Sequence, residues 1–137
     1  MRYVAGLMFS EDSTKLAMVI KNRPAWQAGL FNAIGGKIEE GEEPAACMAR
    51  EFLEETGVQT LPSEWEYLTM LDGSWGQVTF FRMFGDRVHD VKTMETEVIQ
   101  LVNPFALPMN TIGNIRWLVP LAMDKKTLAP RITKHMG

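Results

Sequence analysis

Residues 36 to 58 read Gly-Lys-Ile-Glu-Glu-Gly-Glu-Glu-Pro-Ala-Ala-Cys-Met-Ala-Arg-Glu-Phe-Leu-Glu-Glu-Thr-Gly-Val, and this stretch decides the fold. Pro44 suits the first turn of a helix, where a missing N–H costs nothing, and Gly57 suits the left-handed residue that ends one. The punctuation predicts a helix over residues 44–56. At 100° per residue, Ala45, Met48, Ala49, Phe52 and Leu53 fall on one side of it, and Glu51, Glu54 and Glu55 fall on the other. One face packs and the opposite face is acidic.

Carboxylates at i, i+3 and i+4 repel one another by a few tenths of a kcal/mol per pair unless a cation sits among them. A hard divalent ion relieves that cost. With oxygen ligands only and no His or Cys in the set, the chemistry points to Mg²⁺, with Mn²⁺ as a substitute, rather than Zn²⁺. Cys47 lies one turn before Glu51 and is expected to pack as a small hydrophobe.

Working outward, 137 residues with 46% hydrophobic and 23% charged side chains suit a single domain over 1–137 with its own core. A net charge of −3 and scattered Lys and Arg argue against a polymeric nucleic acid partner, and leave room for a small anionic ligand carried with its metal. The N-terminal apolar run breaks at Ser10-Glu11-Asp12, and no stretch reaches the roughly 20 apolar residues that span a bilayer, so neither a leader nor a membrane partner is expected. A single cysteine fits a reducing, cytoplasmic setting. A homodimer is compatible with the sequence, which leaves the oligomeric state open.

Apolar, β-prone runs at 2–9 and 15–21 read as two strands joined by a turn, and Arg23-Pro24 opens a loop through Gly29. A short strand over 30–34 delivers the chain to Gly35-Gly36. A hairpin is expected from 66–71 and 77–84, with Phe80 and Phe81 in the core, then a strand over 98–102. A loop with a helical turn over 104–111, a helix over 115–123 despite Pro120, and a tail fraying after Lys134 complete the reading. Strands interspersed with two helices predict an α/β fold with a mixed sheet between helical layers. Arg23 and Lys37 flank the loop that leads into the acidic helix, which makes them candidate phosphate contacts.

Gly36, Glu42, Arg50, Glu51, Glu54, Glu55 and Gly57 stand at the spacing G-x5-E-x7-R-E-U-x-E-E-x-G-U, with Phe52 and Val58 at the bulky apolar U positions. This resembles the Nudix box, and a chance match at seven fixed positions is rarer than about one in a million. The resemblance implies an α/β/α sandwich and a hydrolase acting on a nucleoside diphosphate linked to another moiety. It implies that Glu54 and Glu55 bind metal, that Glu51 is a metal ligand or general base, that Arg50 orients Glu51, and that Gly35 offers its backbone carbonyl. It also implies a further carboxylate from a later loop, Glu95 or Glu97, with Glu97 preferred.

Residues 29–37 look like the approach segment of the MutT-like branch, in which the asparagine matching Asn32 touches the base, and residues 117–121 resemble a helix bordering the base pocket, with Trp117 as a candidate contact. Asn32 carries a donor and an acceptor, which suits a purine edge. Paired aspartates that read the base elsewhere in that branch have no clear counterpart near 109–111. The Pro or Tyr that marks some ADP-ribose and dinucleoside polyphosphate hydrolases is also missing from 73–76. A (d)NTP cleaved to (d)NMP and pyrophosphate is therefore the expected reaction, with a purine or modified nucleotide favoured. An ADP-ribose or nucleotide-sugar pyrophosphatase and a non-catalytic nucleotide-binding module are the alternatives.

Overall fold

The computed structural model describes residues 1–126 and 135–136. Its central strand is β1 (Arg2–Phe9), which the sequence writes as an almost unbroken apolar run because both of its faces are covered. Ala5, Leu7 and Phe9 point into one hydrophobic cluster, and Val4 and Met8 point into the other. The adjacent pair Phe80 and Phe81 divides in the same way, as period-two alternation requires.

Around β1 run β2 (Leu16–Ile20), β3 (Phe31–Asn32), β4 (Ile34–Lys37), β5 (Glu66–Gly73), β6 (Gly76–Phe84), β7 (Val98–Val102) and β8 (His135–Met136). The main path is β3-β2-β1-β6-β5-β8, with β4 added on β1 and β7 on β2. β1 pairs parallel to β6, from Arg2 opposite Gln77 to Phe9 opposite Phe84. On its other edge it is shared: Met8 and Phe9 pair with β2, and residues 3–6 pair with β4. The sheet is mixed, and among the described residues each of its faces carries one α-helix.

Helix α1 (Pro44–Thr56) buries Cys47, Met48 and Phe52, and Phe52 meets Trp65 edge-on at 5.1 Å. Helix α2 (Gly113–Met123) buries Ile115, Leu118, Val119 and Ala122 against the opposite face. The end of α2 is pinned by Arg82, 2% exposed, which donates to the carbonyls of Ala122 and Asp124 at 3.1 and 2.8 Å and to Glu66 at 2.6 Å. A buried guanidinium is tolerated because acceptors surround it. Among the described residues, no helix is long and apolar enough to cross a membrane.

The observed elements depart from the sequence expectation in three places. The strand expected over 30–34 is two short pieces, and the second continues through both glycines to Lys37 because pairing with β1 supplies the hydrogen bonds that a glycine pair alone would not hold in line. Residues 104–111 contain turns, not a helical turn, and Thr111 bridges to Phe31. In place of a frayed tail, His135–Met136 lie parallel to β5.

Candidate active site

Strand β4 and helix α1 meet at a contact that only glycine allows. A Cβ on Gly36 would lie 2.4 Å from the Glu51 carboxyl carbon and 2.5 Å from its Oε1, so the bare backbone is what makes room for that carboxylate. A Cβ on Gly35 would fall 1.9 Å from the Val4 carbonyl oxygen. Gly57, at φ 77°, ends α1 with its N–H on the Leu53 carbonyl.

The acidic face is organised by Arg50. Its Nε and Nη2 grip Glu42 at 2.7 and 3.0 Å, and Nη1 reaches Glu51 Oε1 at 3.1 Å and Glu54 at 3.3 Å. Nη2 also donates to the Lys37 carbonyl at 3.3 Å, tying the loop to the helix. The paired guanidinium holds the Glu42 carboxyl well down, at about 2. Glu51 behaves oppositely, since burial raises its pKa more than Arg50 lowers it. Cys47 is buried, with its thiol pushed up to about 12 by burial and by Glu42, which makes it a packing residue.

Glu55 is 8% exposed, and burial followed by repulsion from Glu51 pushes its carboxyl up to about 8. Its Oε2 is buried without a hydrogen-bond partner. Such an atom is costly unless something positive meets it. The loop 91–97 docks on the helix end, where Lys92 N–H and Met94 N–H donate to the carbonyls of Thr56 and Glu55 at 3.1 and 3.4 Å. This brings the charge of Glu95 to bear on both Glu51 and Glu55.

An all-oxygen set with an orphaned carboxylate oxygen, a second carboxyl raised by burial and a bare-glycine niche suits a hard divalent cation. Among the described residues no three such side chains already converge on one point. Arg50, bridging Glu51 and Glu54, supplies the positive charge there.

Beside the acidic face opens a cleft of about 650 Å³. Gly35, Gly36 and Lys37 line it, together with Asn32, Trp26, Trp75 and Asn114. Trp26 is 69% exposed and Trp75 41%. Asn32 Oδ1 accepts the Ala33 N–H at 2.8 Å and its Nδ2 donates to Gln27 at 3.2 Å, which leaves one amide hydrogen and one lone pair for a ligand. Asn114 Oδ1 is buried without a partner.

Of the residues singled out from the sequence, the structure brings Arg50 and Glu51 against Gly36 and Lys37 of β4, joins Glu54 to them through Arg50, sets Glu55 within charge reach of Glu51, and places Asn32, Gly35 and Lys37 in the cleft lining. Arg23 lines a second hollow of about 660 Å³ with Glu95 and Glu97. Trp117 is not among the residues lining the cleft; half-buried, it packs against the α2-side core. Both oxygens of Glu97 are already engaged, one by Lys21 Nζ at 3.1 Å and one by the Asn22 N–H at 2.6 Å. Burial raises its carboxyl, but those bonds outweigh it and hold the group below the usual range. Sequence reasoning missed Lys21, Trp26, Trp75 and Asn114, because the segments carrying them meet only when the sheet forms. An exposed-type Trp inside the Gly- and Pro-bounded loop 22–29 was the one available signal.

Residues 1–126 match the family model for the NUDIX domain. The chain belongs to that family. It is a Nudix hydrolase, and the matched span runs from β1 through the acidic helix to α2. The fold is shared with solved Nudix structures of low identity. The MutT NUDIX hydrolase of Burkholderia pseudomallei is 16% identical with a TM-score of 0.70, covering 90% of this chain and 99% of its own. The NUDIX domain of Shewanella oneidensis NrtR, complexed with ADP ribose, is 17% identical with a TM-score of 0.74, covering 93% and 88%. A MutT from work on Aliivibrio salmonicida and Vibrio cholerae is 21% identical with a TM-score of 0.60, covering 76% and 78%.

Proposed function

We propose that this Nudix hydrolase cleaves a phosphoanhydride bond in a nucleoside diphosphate linked to a further moiety, with Mg²⁺ as cofactor, and that its preferred substrate is a (d)NTP yielding (d)NMP and pyrophosphate. The observation that carries the reading is the continuity of the cleft. Its lining brings Gly35, Gly36 and Lys37, with Gly36 packed against the Glu51 carboxylate, together with the aromatic faces of Trp26 and Trp75 and the amides of Asn32 and Asn114. A polyphosphate suits the first group and a planar, hydrogen-bonding base suits the second.

Glu51, Glu54, Glu55 and the Gly35 carbonyl would hold the metal, with Glu95 in preference to Glu97 as the later carboxylate, since both Glu97 oxygens are taken. Bound there, Mg²⁺ would neutralise phosphate oxygens and acidify water. Arg50 fixes Glu51 by Oε1, leaving Oε2 to accept a proton from the attacking water. Burial of Glu51 raises its basicity above that of an exposed carboxylate, which favours this role. Lys37 meets phosphate charge from the cleft lining, and Arg23 from the neighbouring hollow that holds Glu95 and Glu97. Asn32 and Asn114 face the base edge, with Trp26 and Trp75 as stacking surfaces.

The decisive assay is a panel of (d)NTPs, ADP-ribose, nucleotide sugars and dinucleoside polyphosphates with Mg²⁺, read for pyrophosphate, phosphate and monophosphate release. The expected result is pyrophosphate release with highest kcat/KM on a purine (d)NTP. Turnover confined to ADP-ribose would replace this with the second reading, an ADP-ribose pyrophosphatase, which the fold shared with the ADP-ribose complex of the NrtR domain favours. No turnover of any member, with nucleotide binding retained, would leave a binding module.

A further inference from the structure

Lys21 stands just beyond the end of β2, across the antiparallel ladder from Glu97. In that ladder Ile20 faces Val98, so the next step outward sets Lys21 opposite Glu97. The two meet at 3.1 Å with side chains only 22% and 17% exposed. Glu97's other oxygen accepts the Asn22 N–H. The carboxylate therefore uses both oxygens to fix two consecutive residues of the segment leaving β2.

That segment separates the two hollows. Lys21 lines the cleft that contains Gly35, Gly36 and Lys37, while Asn22 and Arg23 line the hollow that contains Glu95 and Glu97. The ammonium carries three N–H donors, and one is used by Glu97. Two remain for an anion in the cleft. Lys21 also acts on Glu55 as a favourable charge, so a residue lining the cleft lies within electrostatic reach of the acidic centre.

We propose that Lys21 is a phosphate-binding residue of the substrate cleft and that Glu97 is its positioning residue, not a ligand to the metal. The proposal rests on the reading of the cleft as a polyphosphate site. A flexible lysine normally gives up rotamer freedom when it binds, and the Glu97 contact imposes that restriction in advance. A metal ion bound by Glu97 would meet an ammonium 3.1 Å from the same carboxylate, which repels a dication, and would compete with the Lys21 and Asn22 N–H groups for its oxygens.

The test compares Lys21→Met, Lys21→Arg, Glu97→Gln and the double variant Lys21→Met/Glu97→Gln in two binding measurements that need no turnover. One is calorimetric titration with inorganic tripolyphosphate in excess Mg²⁺, and the other is Mn²⁺ binding followed by electron paramagnetic resonance. Lys21→Met is expected to weaken tripolyphosphate binding about tenfold, Glu97→Gln by several-fold, and the double variant no more than Lys21→Met alone, because coupled residues do not add. Lys21→Arg should retain most of the affinity, and Mn²⁺ affinity should stay within about twofold in Glu97→Gln.

Tripolyphosphate affinity unchanged in Lys21→Met, additive losses in the double variant, or a tenfold loss of Mn²⁺ affinity in Glu97→Gln would each overturn the proposal. If Lys21→Met does not fold, Lys21→Gln takes its place under the same criteria. A wild-type protein that binds tripolyphosphate through Lys21 yet hydrolyses no nucleotide would defeat the proposed reaction and leave this assignment standing.

Discussion

Arg50 is where the acidic face is held together, and its geometry explains why lysine is a poor replacement. One planar guanidinium makes a two-pronged contact with Glu42 while reaching Glu51, Glu54 and the Lys37 carbonyl. An ammonium cannot span those directions. Arg50→Lys is expected to lower kcat by at least about tenfold and the thermal midpoint by roughly 3–6 °C, read from steady-state kinetics and a melting curve. The loss of stability belongs to Glu42, a position the sequence marked without revealing that it is the arginine's main anchor.

The same pair sets an acid limit. The Glu42 carboxyl falls from an ordinary 4.5 to about 2 on folding, so its contribution is fully present above pH 4.5 and is lost as pH falls through 2. Urea midpoints measured from pH 6 down to pH 2 should therefore decline less steeply in Glu42→Gln, which starts lower and lacks that titration. A parallel decline in both proteins would contradict the assignment.

At the scale of elements, the site depends on β4 passing bare-backboned beneath α1. Gly36→Ala places a methyl on top of the Glu51 carboxylate, and the side chain must move because the strand cannot. The expected outcome is a folded protein by circular dichroism whose kcat falls by at least about 100-fold, since misplacing a reacting group by an ångström has that effect. Helix α1 itself was legible to the residue from Pro44 and Gly57, because its start and stop signals are local. The continuation of the strand through Gly35 and Gly36 was not, since glycine reads as a break and only pairing with β1 overrides it. The contacts of Glu97 and Trp117 were hidden for a related reason. Sequence offset gave their neighbourhood, but whether a side chain turns to a partner, to the core or to a cleft depends on residues far along the chain.

At the scale of the molecule, the two helices serve different ends and are fixed by different means. α2 is clamped through Arg82, whose buried guanidinium meets the Ala122 and Asp124 carbonyls and the half-exposed Glu66. Treatment with EDTA should abolish hydrolysis and leave the near-ultraviolet spectrum unchanged, since the sheet and both cores are built without the metal site. The layered architecture was readable from alternating elements. The cleft was not, because its walls join strand residues of β1, β4 and β6 to the loop 22–29, the 74–75 turn and the start of α2.

That division of labour carries an evolutionary consequence. The carboxylates ride on one helix under one set of constraints, whereas Trp26 and Trp75 sit on two separate connections and Asn114 on the first turn of α2, and none of the three takes part in the Arg50 network. Selection can therefore redraft what the cleft accepts without disturbing how the bond is broken. Swapping Trp26 and Trp75 for alanine together should change the ranking of nucleotides by kcat/KM by roughly 10–100-fold while the Mg²⁺ dependence of turnover stays put. A lineage of this fold would diversify along its loops, keeping the helix as a fixed inheritance.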